Sequence, residues 1–194
     1  MTRKRVAILI SGRGSNMQAL IEAADAPDYP AEIVGVLSNR AAAPGLQFAA
    51  ARGIATASLA QSRFPSREMF EDVMTQTLES WDADIVCLAG FMRILGEDFV
   101  HHWAGRMINI HPSLLPLYKG LHTHERVLAD GATTHGCTVH FVTPGLDEGE
   151  PILQAEVPVL PGDTSDTLSA RVLVEEHRIY PEALRMLASG ELAR

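Results

Sequence analysis

The sequence predicts an α/β fold, an open and mostly parallel twisted sheet with helices on both faces and antiparallel strands in its C-terminal part. Three observations predict it. Apolar runs of strand length alternate with segments of helical period from Arg5 to His111. The runs are continuous rather than alternating, which is the pattern of strands covered on both faces. Beyond residue 111 the alternation ends, and two strand-like segments follow one another across an acidic, glycine-rich loop.

Arg5 to Ile10 is the first buried strand, and Ser11-Gly12-Arg13-Gly14-Ser15-Asn16 leads into a helix from about Ser15 to Ala24. Ile33 to Leu37 is the second strand, followed by a helix from Gly45 to Arg52 that Pro44 opens and Gly53 stops. Ile54 to Ser58 is a short third strand. The next helix, Ser66 to about Ser80, carries Met69, Phe70, Val73, Met74 and Leu78 near 3.6-residue spacing. Asp84 to Ala89 is again continuously apolar. Ile108-Asn109-Ile110-His111 is a short strand that Pro112 ends. Cys137 to Val142 and Ile152 to Leu160 are strands flanking the loop from Thr143 to Pro151. Asp163-Thr164-Ser165 opens a final helix through about Leu187, expected to bend or break at Pro181.

Composition narrows the function. With 194 residues, 46% of them hydrophobic, the chain fits one domain with a sizeable core. A net charge of −8 argues against a nucleic-acid partner, although a local positive site suffices for an anionic small molecule. No stretch approaches the roughly 20 apolar residues of a membrane span. Cys87 and Cys137 are too few for a disulfide scaffold and lack metal-ligand spacing. A cytoplasmic protein is the expectation.

Ser11 to Asn16 follows a strand and opens a helix, where free N–H groups and the helix dipole favour an anion. The Gly-x-Gly-Ser-Asn spacing is neither a dinucleotide fingerprint nor a Walker A loop. It reads equally as a tight turn, with Ser15 or Asn16 as helix cap, and as a monophosphate site; Arg13 either adds charge or faces solvent. On the last helix Glu176 interrupts the apolar stripe of Leu168, Val172, Ile179, Ala183 and Leu187. A buried carboxylate is costly unless paired. Glu176 therefore either bridges to Arg171 or Arg178, or meets a ligand's ammonium or hydroxyl groups, while Glu175 falls off the stripe into solvent.

Taken singly, Asn109 reads as a turn or capping amide, His111 as a satisfied strand-end histidine and Asp147 as a solvated loop carboxylate. Taken together with the Ser11–Asn16 loop they are the candidate reacting groups. An amide donates to a developing oxyanion, an imidazole moves a proton, and a carboxylate tunes and orients that imidazole. Side chains two apart on a strand share a face, so Asn109 and His111 sit together at its mouth.

Five segments in register, Ser11 to Asn16, Leu88-Ala89-Gly90-Phe91-Met92-Arg93, Asn109 to Pro116, Gly120-Leu121-His122-Thr123-His124 and His140-Phe141-Val142 with Asp147, carry a resemblance. The chain resembles the phosphoribosylglycinamide formyltransferase family from Val6 to about Pro181. That resemblance implies a Rossmann-like formyltransferase fold, with a phosphate-binding half over about 1–107 and a catalytic and folate half over about 108–194. It implies formyl transfer from 10-formyltetrahydrofolate, used as a cosubstrate, to the amine of glycinamide ribonucleotide in purine biosynthesis. Asn109 and His111 would serve the oxyanion, His111 as general acid, with Asp147 beside it. Gly14, Ser15 and Asn16 would hold the phosphate and Glu176 the ribose and glycinamide side. Arg67, Met92, Arg93, Ile94 and Leu95 would form the folate side with Asn109 and with Val142, Thr143, Pro144, Gly145, Leu146 and Asp147.

No metal is implied. His122, His124 and His140 read as structural or substrate-lining, His101 and His102 as surface, and His135 and His177 carry no signal. The partners implied are small molecules, without nucleic acid or membrane, in a monomer or homodimer. Lys119 stands where many relatives have proline, which touches loop shape, and the chain ends at Arg194 without the longer tail of some relatives. A related methionyl-tRNA formyltransferase would carry a further domain, and a deformylase would have His-His-Ser where this chain has His111-Pro112-Ser113.

Overall fold

The structure is a computed structural model, and it describes residues 2–192. Ala193 and the chain end at Arg194 lie outside the described residues. The strands are β1 (Lys4–Ile10), β2 (Ala31–Ser38), β3 (Ala55–Ser58), β4 (Ile85–Leu88), β5 (Met107–His111), β6 (Thr134–Phe141) and β7 (Pro151–Pro158). They form one sheet in the order β3-β2-β1-β4-β5-β6-β7. Pairs from β3 through β5 are parallel, whereas β5 with β6 and β6 with β7 are antiparallel.

The helices are α1 (Ser15–Ala24), α2 (Pro44–Ala51), α3 (Arg67–Ser80), α4 (Glu97–His102), α5 (Thr123–Ala129) and α6 (Ser165–Ser189). β1 shows why its run is apolar throughout. Val6, Ile8 and Ile10 pack with α1 and α6 on one face of the sheet, while Ala7 and Leu9 pack with α3 and α4 on the other. Period-two alternation of the strand thus feeds two cores.

Helix α6 is not interrupted at Pro181; it runs unbroken from Ser165 to Ser189. Proline removes one ladder hydrogen bond at a cost of about 3 kcal/mol. Ile179, Tyr180, Ala183 and Leu184 are buried on either side of it, and the Tyr29 hydroxyl donates to the Pro181 carbonyl at 2.6 Å. Packing of both half-helices against the sheet holds the axis together. The Tyr180 hydroxyl, fully buried, donates to the carbonyls of Leu88 (2.8 Å) and Ile108 (3.2 Å), joining β4 to β5 just before Asn109.

Strand β6 begins at Thr134, three residues before the apolar signal at Cys137, because His135 and Gly136 pair with Val157 and Glu156 across the antiparallel edge. Helix α1 is capped by Gly14 in the left-handed region (φ 70°) without a side-chain cap, so neither Ser15 nor Asn16 acts as the cap. Its first N–H groups therefore remain open to an anion.

Candidate active site

Strand β5 ends at the carboxyl edge of the parallel sheet, the place where open α/β sheets gather ligands. Asn109 and His111 lie there, and the loop after β6 brings Asp147 to them across 36 residues of chain from His111. The Asp147 carboxylate is only 9% exposed, and Oδ2 stands 3.4 Å from His111 Nδ1. The same oxygen accepts the Gly120 N–H at 2.9 Å, and Oδ1 lies 3.8 Å from His140 Nε2. Asp147 itself adopts φ 51°, a left-handed conformation that side chains rarely take. Its anchors hold it there.

Hydrogen-bond logic fixes the neighbouring groups. His111 Nε2 sits 2.9 Å from the Tyr118 carbonyl, which only accepts, so Nε2 donates. Both His111 nitrogens thus face oxygen acceptors. His140 Nδ1 faces the Phe141 carbonyl at 2.8 Å and carries its hydrogen on that side. Its Nε2 is left to accept from Asn109 Nδ2 at 3.2 Å. Burial holds His140 below the ordinary imidazole range, in keeping with this neutral role. One amide hydrogen of Asn109 is engaged and the other is available to a ligand.

Two clefts meet on these residues. The narrower, about 170 Å³, is lined by Arg93, Ile94, Leu95, Val142, Thr143, Pro144 and Gly145. The wider, about 380 Å³, is lined by Met92, His111, Gly120, His122 and His124. Phe91, Asn109, Leu146 and Asp147 belong to both. Along this common wall the two clefts adjoin.

The remaining expected site residues are distributed around this centre. Met92 turns to the wider cleft rather than the narrower. Arg67 lines neither; it borders a separate cleft with Glu68, Glu71, Asp72, Glu97 and Asp98. Gly14, Ser15 and Asn16 line neither cleft, but Ser11 Oγ accepts the Met92 N–H at 2.8 Å and so ties their loop to the rim. Glu176, 8% exposed, accepts from Asn16 Nδ2 at 2.8 Å and bridges to neither candidate arginine. Arg171 pairs instead with Asp163. Arg178 pairs with Glu175, which is therefore ion-paired rather than simply solvated. Burial raises the Glu176 carboxyl above its usual range, against the lowering effect of Asn16. Asn16 Oδ1 is buried with no partner, an acceptor that suits a hydroxyl or amine donor.

His135 shows a role its sequence context concealed. It is 1% exposed, and its Nε2 lies 3.0 Å from His124 Nδ1. Burial first, then His124 and His111, push its pKa down to about 4. An unfolded histidine titrates near 6.5. Between those values the unfolded chain binds a proton that the native one does not, so the contribution of His135 to stability is fully present above about 6.5 and is lost as pH falls toward 4. Thermal melts across this window should show that loss in the wild type and a shallower one in His135→Asn; equal slopes would remove His135 as the cause. Among the described residues, no group of three or more His, Cys, Asp or Glu side chains is arranged to hold a metal ion. Among the same residues, no helix is long and apolar enough to cross a membrane.

Sequence reasoning missed His140 as the partner of Asn109, the Gly120 N–H and the Tyr118 carbonyl. The two residues Asn109 and His140 face one another only through the antiparallel register of β5 and β6, which no local pattern reveals.

Comparison with known proteins gives the chain a family and a fold. Residues 4–184 match the formyl transferase family. The chain is 49% identical to the phosphoribosylglycinamide formyltransferase of Escherichia coli (strain K12), over 96% of this chain and 88% of that protein. It is 51% identical to the human trifunctional purine biosynthetic protein adenosine-3 over 97% of this chain, but spans only 19% of that protein's length. The crystal structure of phosphoribosylglycinamide formyltransferase from Brucella melitensis superposes with a TM-score of 0.93 at 55% identity, covering 97% of each chain.

Proposed function

Because this chain belongs to the formyl transferase family, we propose that it moves the formyl group of 10-formyltetrahydrofolate to the amine of 5′-phosphoribosylglycinamide, a step of purine biosynthesis. One observation carries the reading: two clefts share a wall made of Phe91, Asn109, Leu146 and Asp147, with His111 beside it. A transfer between two small molecules needs that arrangement, since the donor carbon and the acceptor nitrogen must meet at one point.

The narrower cleft takes the folate. Its apolar lining and the exposed Ile94 and Leu146 at its mouth suit a flat ring, and the backbone of residues 142–147 supplies hydrogen-bonding groups to its edge. Arg93 is the cationic group in that lining. The wider cleft takes the ribonucleotide, with its phosphate at the open N–H groups of Gly14, Ser15 and Asn16. Glu176 and the unpartnered Asn16 Oδ1 take hydroxyl or amine donors rather than phosphate, because both are acceptors.

At the shared wall the amine nitrogen bonds to the formyl carbon as the carbonyl π pair moves onto oxygen. The free amide hydrogen of Asn109 meets that charge. Collapse breaks the bond from the formyl carbon to the folate nitrogen, and His111 supplies the proton that nitrogen takes up. Asp147 orients His111 and receives, directly or through solvent, the proton that the newly bonded nitrogen of the tetrahedral adduct loses. It hands that proton back to His111, so that the reformed carbonyl, the new amide and the protonated folate nitrogen leave both side chains as they began.

The test mixes the protein with glycinamide ribonucleotide and a 10-formylfolate and follows folate absorbance. Formyl transfer that depends on the ribonucleotide is expected. Folate release at the same rate without the ribonucleotide would mean transfer to water, and binding of both compounds without transfer would mean a non-catalytic module. Glu176→Gln should raise KM for the ribonucleotide about tenfold or more, as loss of a charged acceptor does, with KM for the folate unchanged. Equal effects on both substrates would place Glu176 elsewhere in the mechanism.

A further inference from the structure

We propose that Glu71 is a positioning residue that pegs the far end of the folate-lining segment Phe91–Gly96 through a buried hydrogen bond from the Gly96 N–H. The inference rests on assigning the narrower cleft to folate. The segment between β4 and α4 has no regular hydrogen bonding of its own. Besides the packing of Phe91 and Leu95 on the core under α3 and α4 and the Val100 N–H that the Gly96 carbonyl accepts at 3.1 Å, two side chains hold it by hydrogen bonds. Near its start the Met92 N–H donates to Ser11 Oγ at 2.8 Å, and at its end the Gly96 N–H donates to Glu71 Oε1 at 2.8 Å. Arg93, Ile94 and Leu95, all lining the cleft, hang between these anchors.

Glu71 stands on the buried face of α3 beside Phe70, Met74 and Leu78, where a carboxylate is out of place unless it has work to do. It is 6% exposed. Arg67 Nε lies 3.8 Å from the same oxygen, one turn earlier on the helix. Burial raises the carboxyl, while the Gly96 N–H and then Arg67 oppose that shift. Gly96 is fitted to this contact. A Cβ there would lie 2.6 Å from Glu71 Oε2 and 3.4 Å from the Arg67 guanidinium. A side chain there would have to displace the Glu71 carboxylate, while backbone freedom is not at issue, since Gly96 has φ −72°, open to any residue. The carboxylate also faces Glu68 on its own helix and Asp98 on α4, both of which raise it. Arg67 is thereby a partner of this peg.

The experiment compares wild type, Glu71→Gln and Glu71→Ala. Calorimetric titration of wild type with a 10-formylfolate comes first: no binding would defeat the folate assignment itself. With binding established, Glu71→Ala should raise KM and Kd for the folate about tenfold, the scale of one lost buried hydrogen bond. Its kcat and its KM for the ribonucleotide should stay within about twofold of wild type. Glu71→Gln retains an acceptor for the Gly96 N–H and should restore folate KM to within about threefold of wild type. Wild-type folate affinity in Glu71→Ala would overturn the proposal. So would a Gln variant as impaired as the Ala variant, or parallel losses in both substrates with a lowered Tm, which would make Glu71 an ordinary prop of the fold.

Discussion

Asn109→Ala is expected to lower kcat by about 10²–10³-fold, the usual cost of one missing oxyanion donor, while the thermal melt of the protein stays close to that of wild type. The side chain lies on the wall common to both clefts, where the proposed transfer puts the formyl oxygen. Its other N–H is held by His140 Nε2, so the amide does not need to be reoriented in the reaction. Preorganisation of that kind makes a single donor worth so much. The backbone of Asn109 stays paired in β5 whatever the side chain, which protects the fold. Asn109→Asp sharpens the test, because it keeps the shape but replaces a donor with a negative acceptor. Turnover should fall at least as far as in the alanine variant. Rates within about threefold of wild type in either variant would remove Asn109 from the oxyanion site.

The parallel half of the sheet was legible because buried strands are written as unbroken apolar runs, and β1, β2 and β4 each had one. Helix α1 was legible to both ends, as was the antiparallel character of the C-terminal strands. Helices α4 and α5 were not. α4 has six residues with one adjacent buried pair, Phe99 and Val100, too short for any period to show. α5 is entered through His122 at φ 58° without a side-chain cap, so no cap residue announces it. Asn109 and His111 drew attention because two polar residues at period two inside an apolar strand stand out. What surrounds them was hidden. The Tyr118 carbonyl and the Gly120 N–H are backbone groups, to which a side-chain reading is blind. Met92 and Arg93 were grouped by motif, yet they line different clefts, and Arg67, placed with them by the resemblance, lines a third. Sequence proximity says which residues share a loop; only the turn says which side of it each one faces.

His111→Ala and Asp147→Ala should each cut turnover by about 10²–10⁴-fold, the range of a positioned general acid. The two changes should not multiply. His111 Nδ1 and Asp147 Oδ2 stand 3.4 Å apart with both side chains buried, and groups that work as a unit lose most of their effect with the first deletion. The double variant should therefore fall little below the worse single one. Asp147 has a second duty, because the same Oδ2 accepts the Gly120 N–H and so holds the 117–122 loop against the 143–149 loop. Asp147→Asn separates the two. Its amide oxygen can still accept from Gly120, but no carboxylate faces the imidazole. If charge beside His111 is what matters, Asp147→Asn should lose kcat nearly as far as Asp147→Ala while keeping KM for both substrates. If loop anchoring dominates, Asp147→Asn should retain most of its turnover and Asp147→Ala alone should fail. A strictly multiplicative double variant would dissolve the pair, and with it the assignment of His111 as the proton donor.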